Sequence, residues 1–195
     1  MADINNPIRF SADASATIEQ VKASHGYSHT DWNNDELEQV RSEVRNHYRA
    51  EQRFSCAYCQ QPVSQRSAAG APVEHIANKA SYLQFMFEPK NLCVTCPDCN
   101  EYKRNREVLA DPVLRGNAVR KYPTDTDRFR IFHPHYDTYV DHIRRAGYLY
   151  FANSPKGSHT IYVCYLSRFM AAIGLTDELL HDLDVVVQRH RFHGG

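Results

Sequence analysis

The sequence has no surplus of either charge, since 23 Lys and Arg residues balance 23 Asp and Glu. That removes the simplest electrostatic mark of a nucleic-acid binder, a globally basic surface, and leaves such work to local basic patches. Long apolar runs are also missing. None approaches the roughly 18 residues that a bilayer-spanning helix needs, so no membrane span is expected. The opening MADINNPIRFSADASATIEQ lacks a basic stretch followed by an apolar core, the pattern of a secretory signal, and a cytoplasmic setting is the expectation. There is no internal repeat and no low-complexity tract. What remains is ordinary for a folded body, with 42% hydrophobic and 24% charged residues over 195 positions, enough to bury a core.

Three segments follow from the pattern. Residues 1–33 show no sustained period and read as an N-terminal lead-in whose first dozen residues are loosely ordered. From Asp35 to about Gln52, Leu37, Val40, Val44 and Tyr48 fall on one helical stripe, with Asn34 or Asp35 as the candidate N-cap. Residues 34–110 therefore read as a core unit in which this helix precedes a loop, strand, loop, strand and helix. Residues 111–195 read as an α/β extension packed on that core. There Phe129, Ile131 and Phe132 mark a buried extended segment, GYLYFA a strand, and HTIYVCYL a strand or the opening of a helix. Leu179, Leu180, Leu183, Val186 and Val187 recur at helical spacing after Asp177 and Glu178, which predicts a helix over about Thr176 to Arg191. The fold class expected is α+β.

Five of the six cysteines crowd into residues 56–99, and in a reducing compartment they stay thiols or bind metal. Cys56-Ala-Tyr-Cys59 and Cys96-Pro-Asp-Cys99 are two Cys-x-x-Cys knuckles, each able to turn two thiolates toward one ion. Four thiolates at about 2.3 Å make a closed tetrahedral zinc site, structural because no position remains for water or substrate. A redox pair is the competing use of one Cys-x-x-Cys, and two knuckles together favour zinc. Cys93, which follows Asn91-Leu92 in an apolar run, is assigned to the core. The stretch between the knuckles exceeds the roughly 15–20 residues of the simplest zinc ribbon, so something is inserted there.

The insert holds Val73-Glu74-His75-Ile76 and Asn91-Leu92, and Asn100 and Lys103 follow the second knuckle. The succession CAYC, EHI, NL and CPDCNEYK resembles the HNH endonuclease family, the ββα-metal or His-Me finger fold, in its zinc-knuckle form. The resemblance implies a ββα-metal core stapled by the four-cysteine zinc site. It also implies that Glu74 and Asn100 hold a catalytic divalent metal, that His75 is the general base, and that Asn91 steadies the loop bearing the histidine. Two positions depart from the family's pattern: Glu74 stands where Asp is usual, and Asn78 where Pro is common three residues after the histidine. FEPKNL, HPHYDTYVDHI and TIYVCYLSR are similar, more loosely, to small HNH proteins of Septu and retron anti-phage systems. That likeness implies an antiviral effector acting with a regulatory ATPase partner.

The residues carry the same chemistry without the family name. Phosphodiester hydrolysis needs an activated water, neutralisation of the phosphoryl oxygens and help for the leaving 3′ oxygen. Oxygen donors from Glu74 and Asn100 suit Mg²⁺ or Mn²⁺ for the last two, while four thiolates suit zinc. A histidine near its ordinary pKa of about 6.5 can take the proton from water. In extended backbone Glu74 and His75 would face opposite sides, so strand curvature must bring them to one phosphate. Lys103, Arg104 and Arg106, on the helix after the second knuckle, are the candidate phosphate contacts to a nucleic acid, double-stranded DNA first; a solvated helix face is the plainer reading of such a run. His133, His135 and Asp137 alternate as metal ligands on a strand would, but Pro134 interrupts the strand and favours a hydrogen-bonded turn. The competing class for the whole chain is a non-catalytic zinc-finger module binding nucleic acid or protein, which would need none of Glu74, His75 and Asn100.

Overall fold

Leu37, Val40, Val44 and Tyr48 lie along the buried face of α2 (Glu38–Glu51) in the computed structural model, which describes residues 3–111 and 121–172. A 3-10 turn, Asp35–Leu37, leads into α2; Asn34 precedes that turn, and the residue at the start of the α-helix proper is Leu37, which has no capping side chain. The lead-in is better ordered than its composition suggests. Ser11 caps α1 (Ala12–Ala23) by accepting a hydrogen bond from the Ala14 amide at 3.2 Å, and Ile18 and Val21 face inward. Ahead of α1, Ile4 and Ile8 are buried, and their amides donate to the Pro134 carbonyl (2.9 Å) and the Tyr48 hydroxyl (3.1 Å). The expectation of a loosely ordered first dozen residues is therefore corrected. These apolar residues are too widely spaced to show a period, yet each has its own slot in the core.

After α2 the chain forms two short antiparallel strands, β1 (Val73–His75) and β2 (Leu92–Val94), and then α3 (Pro97–Lys103). The register sets Glu74 opposite Cys93 and His75 opposite Leu92. Pro97 occupies the first turn of α3, where its missing N–H costs nothing, and the Cys96 sulfur accepts from the Cys99 amide at 3.4 Å. Cys93 is wholly buried on β2, as expected of a core cysteine.

The remainder packs on the same core. Phe129, Ile131 and Phe132 are buried in a stretch that pairs with the chain after α3 through an isolated antiparallel bridge, Leu109 to Phe129. A short helix α4 (Tyr139–His142) runs into a hairpin of β3 (Ile143–Ala146) and β4 (Leu149–Ala152), turned at Gly147 with φ +62°. HTIYVCYL is helical: it lies in and just after α5 (Pro155–Val163), which Ser154 caps by accepting from the Gly157 amide at 3.1 Å. α6 (Arg168–Ala172) follows. The helix expected over 176–191 lies outside the described residues. Among the described residues no helix is long and apolar enough to cross a membrane.

HPHYD is a turn. The amides of Tyr136 and Asp137 donate to the His133 carbonyl at 3.0 and 2.8 Å, and the His133 amide donates back to Asp137 Oδ2 at 2.8 Å. Asp137 also takes Lys156 Nζ at 3.1 Å and the Thr126 hydroxyl, so its charge is used inside the protein. The metal-like alternation of His133, His135 and Asp137 is thus resolved by Pro134 into a knot of buried polar groups. Among the described residues only the four cysteines cluster as metal ligands do.

Two consequences for stability follow. A Cβ on Gly157 would sit 1.8 Å from the His142 carbonyl oxygen, so α5 can approach α4 this closely only with glycine there. Gly157→Ala is expected to lower the free energy of unfolding by about 1–3 kcal/mol in urea titration, the usual penalty of overpacking. An unchanged midpoint would mean that α5 does not dock as described.

His135 donates from Nε2 to the Leu92 carbonyl at 2.8 Å, and burial holds its pKa down to about 4, below the roughly 6.5 of an unfolded chain. The unfolded chain therefore binds the extra proton between those values. Stability contributed by neutral His135 is present above about pH 6.5 and is lost as the pH falls toward 4. His135→Gln keeps a donor but cannot protonate, so its unfolding free energy should fall less between neutral pH and pH 4.5 than the wild type's. Parallel curves would remove His135 from the acid transition.

Candidate functional site

The two Cys-x-x-Cys turns meet. The sulfurs of Cys56, Cys59, Cys96 and Cys99 all lie within 4.8 Å of one another, and Cys59 Sγ is 3.7 Å from Cys96 Sγ. A tetrahedron with metal–sulfur bonds of about 2.3 Å has edges of about 3.8 Å, so the spacing is that of a four-cysteine zinc site. Burial pushes the Cys56 thiol up, whereas the thiols of Cys56, Cys59 and Cys99 together pull Cys96 far down. A divalent ion at this point would let all four sulfurs ionise. Arg168 of α6 reaches the same sulfurs, with a guanidinium nitrogen 3.4 Å from Cys99 Sγ and 3.7 Å from Cys96 Sγ. It ties the extension to the knuckles.

Beside this scaffold lies a cleft of about 470 Å³ whose lining includes Glu74, His75 and Asn100. Both neighbours on β1 border it, although alternation along a strand would separate them; β1 ends at His75, so the pleat does not continue beyond it. His75 is only 5% exposed. Its Nε2 lies 3.0 Å from the Met86 carbonyl, an acceptor, so this nitrogen carries the proton and Nδ1 keeps the lone pair. The Trp32 ring meets the imidazole edge-on at a centroid distance of 4.6 Å and fixes its plane. Burial, aided by the charge of Lys79, holds the His75 pKa well below the ordinary histidine value, so the ring is neutral at pH 7.

Asn91 is wholly buried and bonds the loop that follows His75. Its Oδ1 accepts from the Ala77 amide (2.7 Å), and Nδ2 donates to the carbonyls of Ala77 (3.0 Å) and Phe85 (2.9 Å). Asn78 braces the same loop by accepting from the Ser81 amide at 2.8 Å and donating to the Asn105 carbonyl at 3.2 Å.

Lys103 requires a correction. Expected to project toward phosphate, it is 0% exposed, and its ammonium is bound to Glu74 Oε1 and, at 3.0 Å, to the His75 carbonyl. A helix of seven residues that starts at a knuckle has one face turned to β1, and Lys103 falls on it. Burial raises the Glu74 pKa, and the Lys103 charge opposes that rise. Arg104 lines the cleft paired to Glu101, and Arg106 lies over the Tyr162 ring at 5.3 Å.

Several cleft residues gave no sign in the sequence. Trp32 sits in a region without periodicity; a capping box between Ser28 and Asp31 forms the 3-10 turn that presents it. Arg41 and Arg45 of α2 and Lys79 also line the cleft. The i, i+4 spacing of Arg41 and Arg45 beside the apolar stripe was the one legible hint. No protein-family model matches this chain, and no curated protein matches it.

Purified protein should carry about one zinc per chain. Cys99→Ser should lose most of it and melt at a markedly lower temperature, because binding free energy at such a site is folding free energy. Zinc near zero in the wild type, with all thiols free, would sink the assignment.

Proposed function

We propose that this chain is a metal-dependent HNH endonuclease of the ββα-metal type, hydrolysing phosphodiester bonds of nucleic acid, with double-stranded DNA as the first substrate to test. One observation carries the reading: His75 is neutral, its Nε2 is committed to the Met86 carbonyl, and it borders a cleft together with Glu74 and Asn100. A non-catalytic zinc finger has no use for a histidine whose ring is held from two sides, by Trp32 and by the Met86 carbonyl.

The oxygen donors fit a hard divalent cation. One Glu74 oxygen is taken by Lys103, which leaves the other carboxylate oxygen and the Asn100 amide oxygen as the protein's ligands. Few protein oxygens with water completing the shell is the usual setting of Mg²⁺ or Mn²⁺. When bound, such an ion supplies charge neutralisation at the phosphoryl oxygens and at the leaving 3′ oxygen. The chain's own groups do the rest. Nδ1 of His75 accepts a proton from a water whose oxygen forms the new bond to phosphorus, while the bond from phosphorus to the 3′ oxygen breaks. Trp32 and the Met86 carbonyl hold the ring in place through this transfer.

Incubating the protein with plasmid DNA and with RNA in Mg²⁺ or Mn²⁺ tests the reading. His75→Ala is expected to cut about 100- to 10,000-fold more slowly, the usual worth of a general base. Zinc content equal to the wild type's shows that the variant is folded. Equal rates would remove His75 as the base, and a wild type that leaves both substrates intact would overturn the nuclease reading.

A further inference from the structure

Arg45 of α2 is 8% exposed and borders the cleft, and its Nε has no hydrogen-bond partner among the described residues. Its nearest carboxylate is Glu38, 3.7 Å from a terminal nitrogen, too long for a hydrogen bond. That same carboxylate is already committed to Arg41, which donates to it at 3.0 and 2.7 Å. One glutamate thus serves two guanidiniums, and it belongs more closely to Arg41. On another element lining the cleft stands Lys79, half-buried and without an ion pair among the described residues. The two acids that line the cleft are spoken for, Glu74 by Lys103 and Glu101 by Arg104.

A buried cation left short of partners is destabilising unless something completes it. Here the shortfall lies beside the histidine and glutamate of the proposed active site. A guanidinium offers a planar fork that matches two phosphate oxygens, and an ammonium adds a point charge from another direction.

We propose that Arg45 and Lys79 form the phosphate seat of the cleft, gripping the non-bridging oxygens of the phosphodiester presented to His75. The inference rests on the nuclease reading for its substrate class, and it moves the phosphate grip away from α3. Lys103 is used internally, Arg104 is paired and Arg106 lies over an aromatic ring; the helix ahead of the first knuckle takes over the task. A neutral chain then binds a polyanion through a few cations whose counter-charges are already assigned, with no need of a basic surface.

Binding without cleavage separates this inference from the nuclease reading. The zinc-loaded chain is titrated, with no added divalent cation, against a fluorescent duplex oligonucleotide and against its single strand, over a series of salt concentrations. Arg45→Gln and Lys79→Gln should each weaken binding about tenfold and flatten the dependence of log affinity on log salt by about 0.9 for duplex, one phosphate contact each. Arg9→Gln, exposed and outside the cleft, should change neither. Loss on both probes identifies the phosphate as what is recognised; loss on one alone identifies the strand form that enters. If Arg45→Gln fails to fold, as zinc content and melting will reveal, the half-exposed Lys79 carries the test. Wild-type affinity and salt slope in folded variants overturn the seat, and so does a wild type that binds neither probe. If the wild type binds through Arg45 yet never cuts, the seat stands and the nuclease reading falls; if Arg45→Gln cuts normally, the reverse holds.

Discussion

A lysine ammonium with no access to water must be neutralised where it lies, and Glu74 neutralises Lys103. Removing either partner alone would leave an uncompensated buried charge, which is far more costly than the pair itself is stabilising. This contact fastens the end of α3 to β1, and Lys103 reinforces it by donating to the His75 carbonyl. The cleft's electrostatics follow from it. With Glu74 committed on one oxygen, Lys79 has no ion pair among the described residues and Arg45 only a long one to Glu38, and a divalent cation at Glu74 would have to share the carboxylate with a lysine.

The four sulfurs and the Asn91 bonds act at a different level. The sulfurs join a turn before the insert to the start of α3, so the long insert is closed at its base. Asn91 then stitches the loop after His75 from inside, using its amide oxygen and both amide hydrogens on backbone groups. Neither device touches the cleft's contents. Together they leave the imidazole little freedom, and the Trp32 edge and the Met86 carbonyl remove what remains. The base role proposed for His75 would call for such restraint, because proton transfer depends on placement to within a fraction of an ångström.

The extension contributes a second buried polar system. His133, Asp137, Thr126 and Lys156 satisfy one another, while His135 donates to β2 at Leu92 and Tyr139 donates to the Tyr58 carbonyl inside the first knuckle. Buried polar networks of this kind specify one packing over its alternatives, although His135 Nδ1 is left without a partner among the described residues. Here they bind the chain after residue 121 to the knuckle and the strands, and Arg168 does the same from α6.

Much was legible from the residues alone, for physical reasons. Cysteine pairs separated by two residues can close on one ion from either side of any insert, so the sulfur cluster needed no knowledge of the path between. The stripe Leu37, Val40, Val44, Tyr48 is a local period, and a local period survives into the fold. Pro134 forbade a regular strand, and a turn resulted. Tertiary structure alone decided what the charges do. Nothing in the spacing of Lys103, Arg104 and Arg106 distinguishes a lysine that faces solvent from one buried against Glu74, because that depends on how α3 is rotated over β1. Nor does sequence show that Trp32, in a stretch without periodicity, reaches His75, or that Arg45 ends in the same cleft as Lys79. Those pairings join segments far apart in the chain, and only packing of the whole core brings them together.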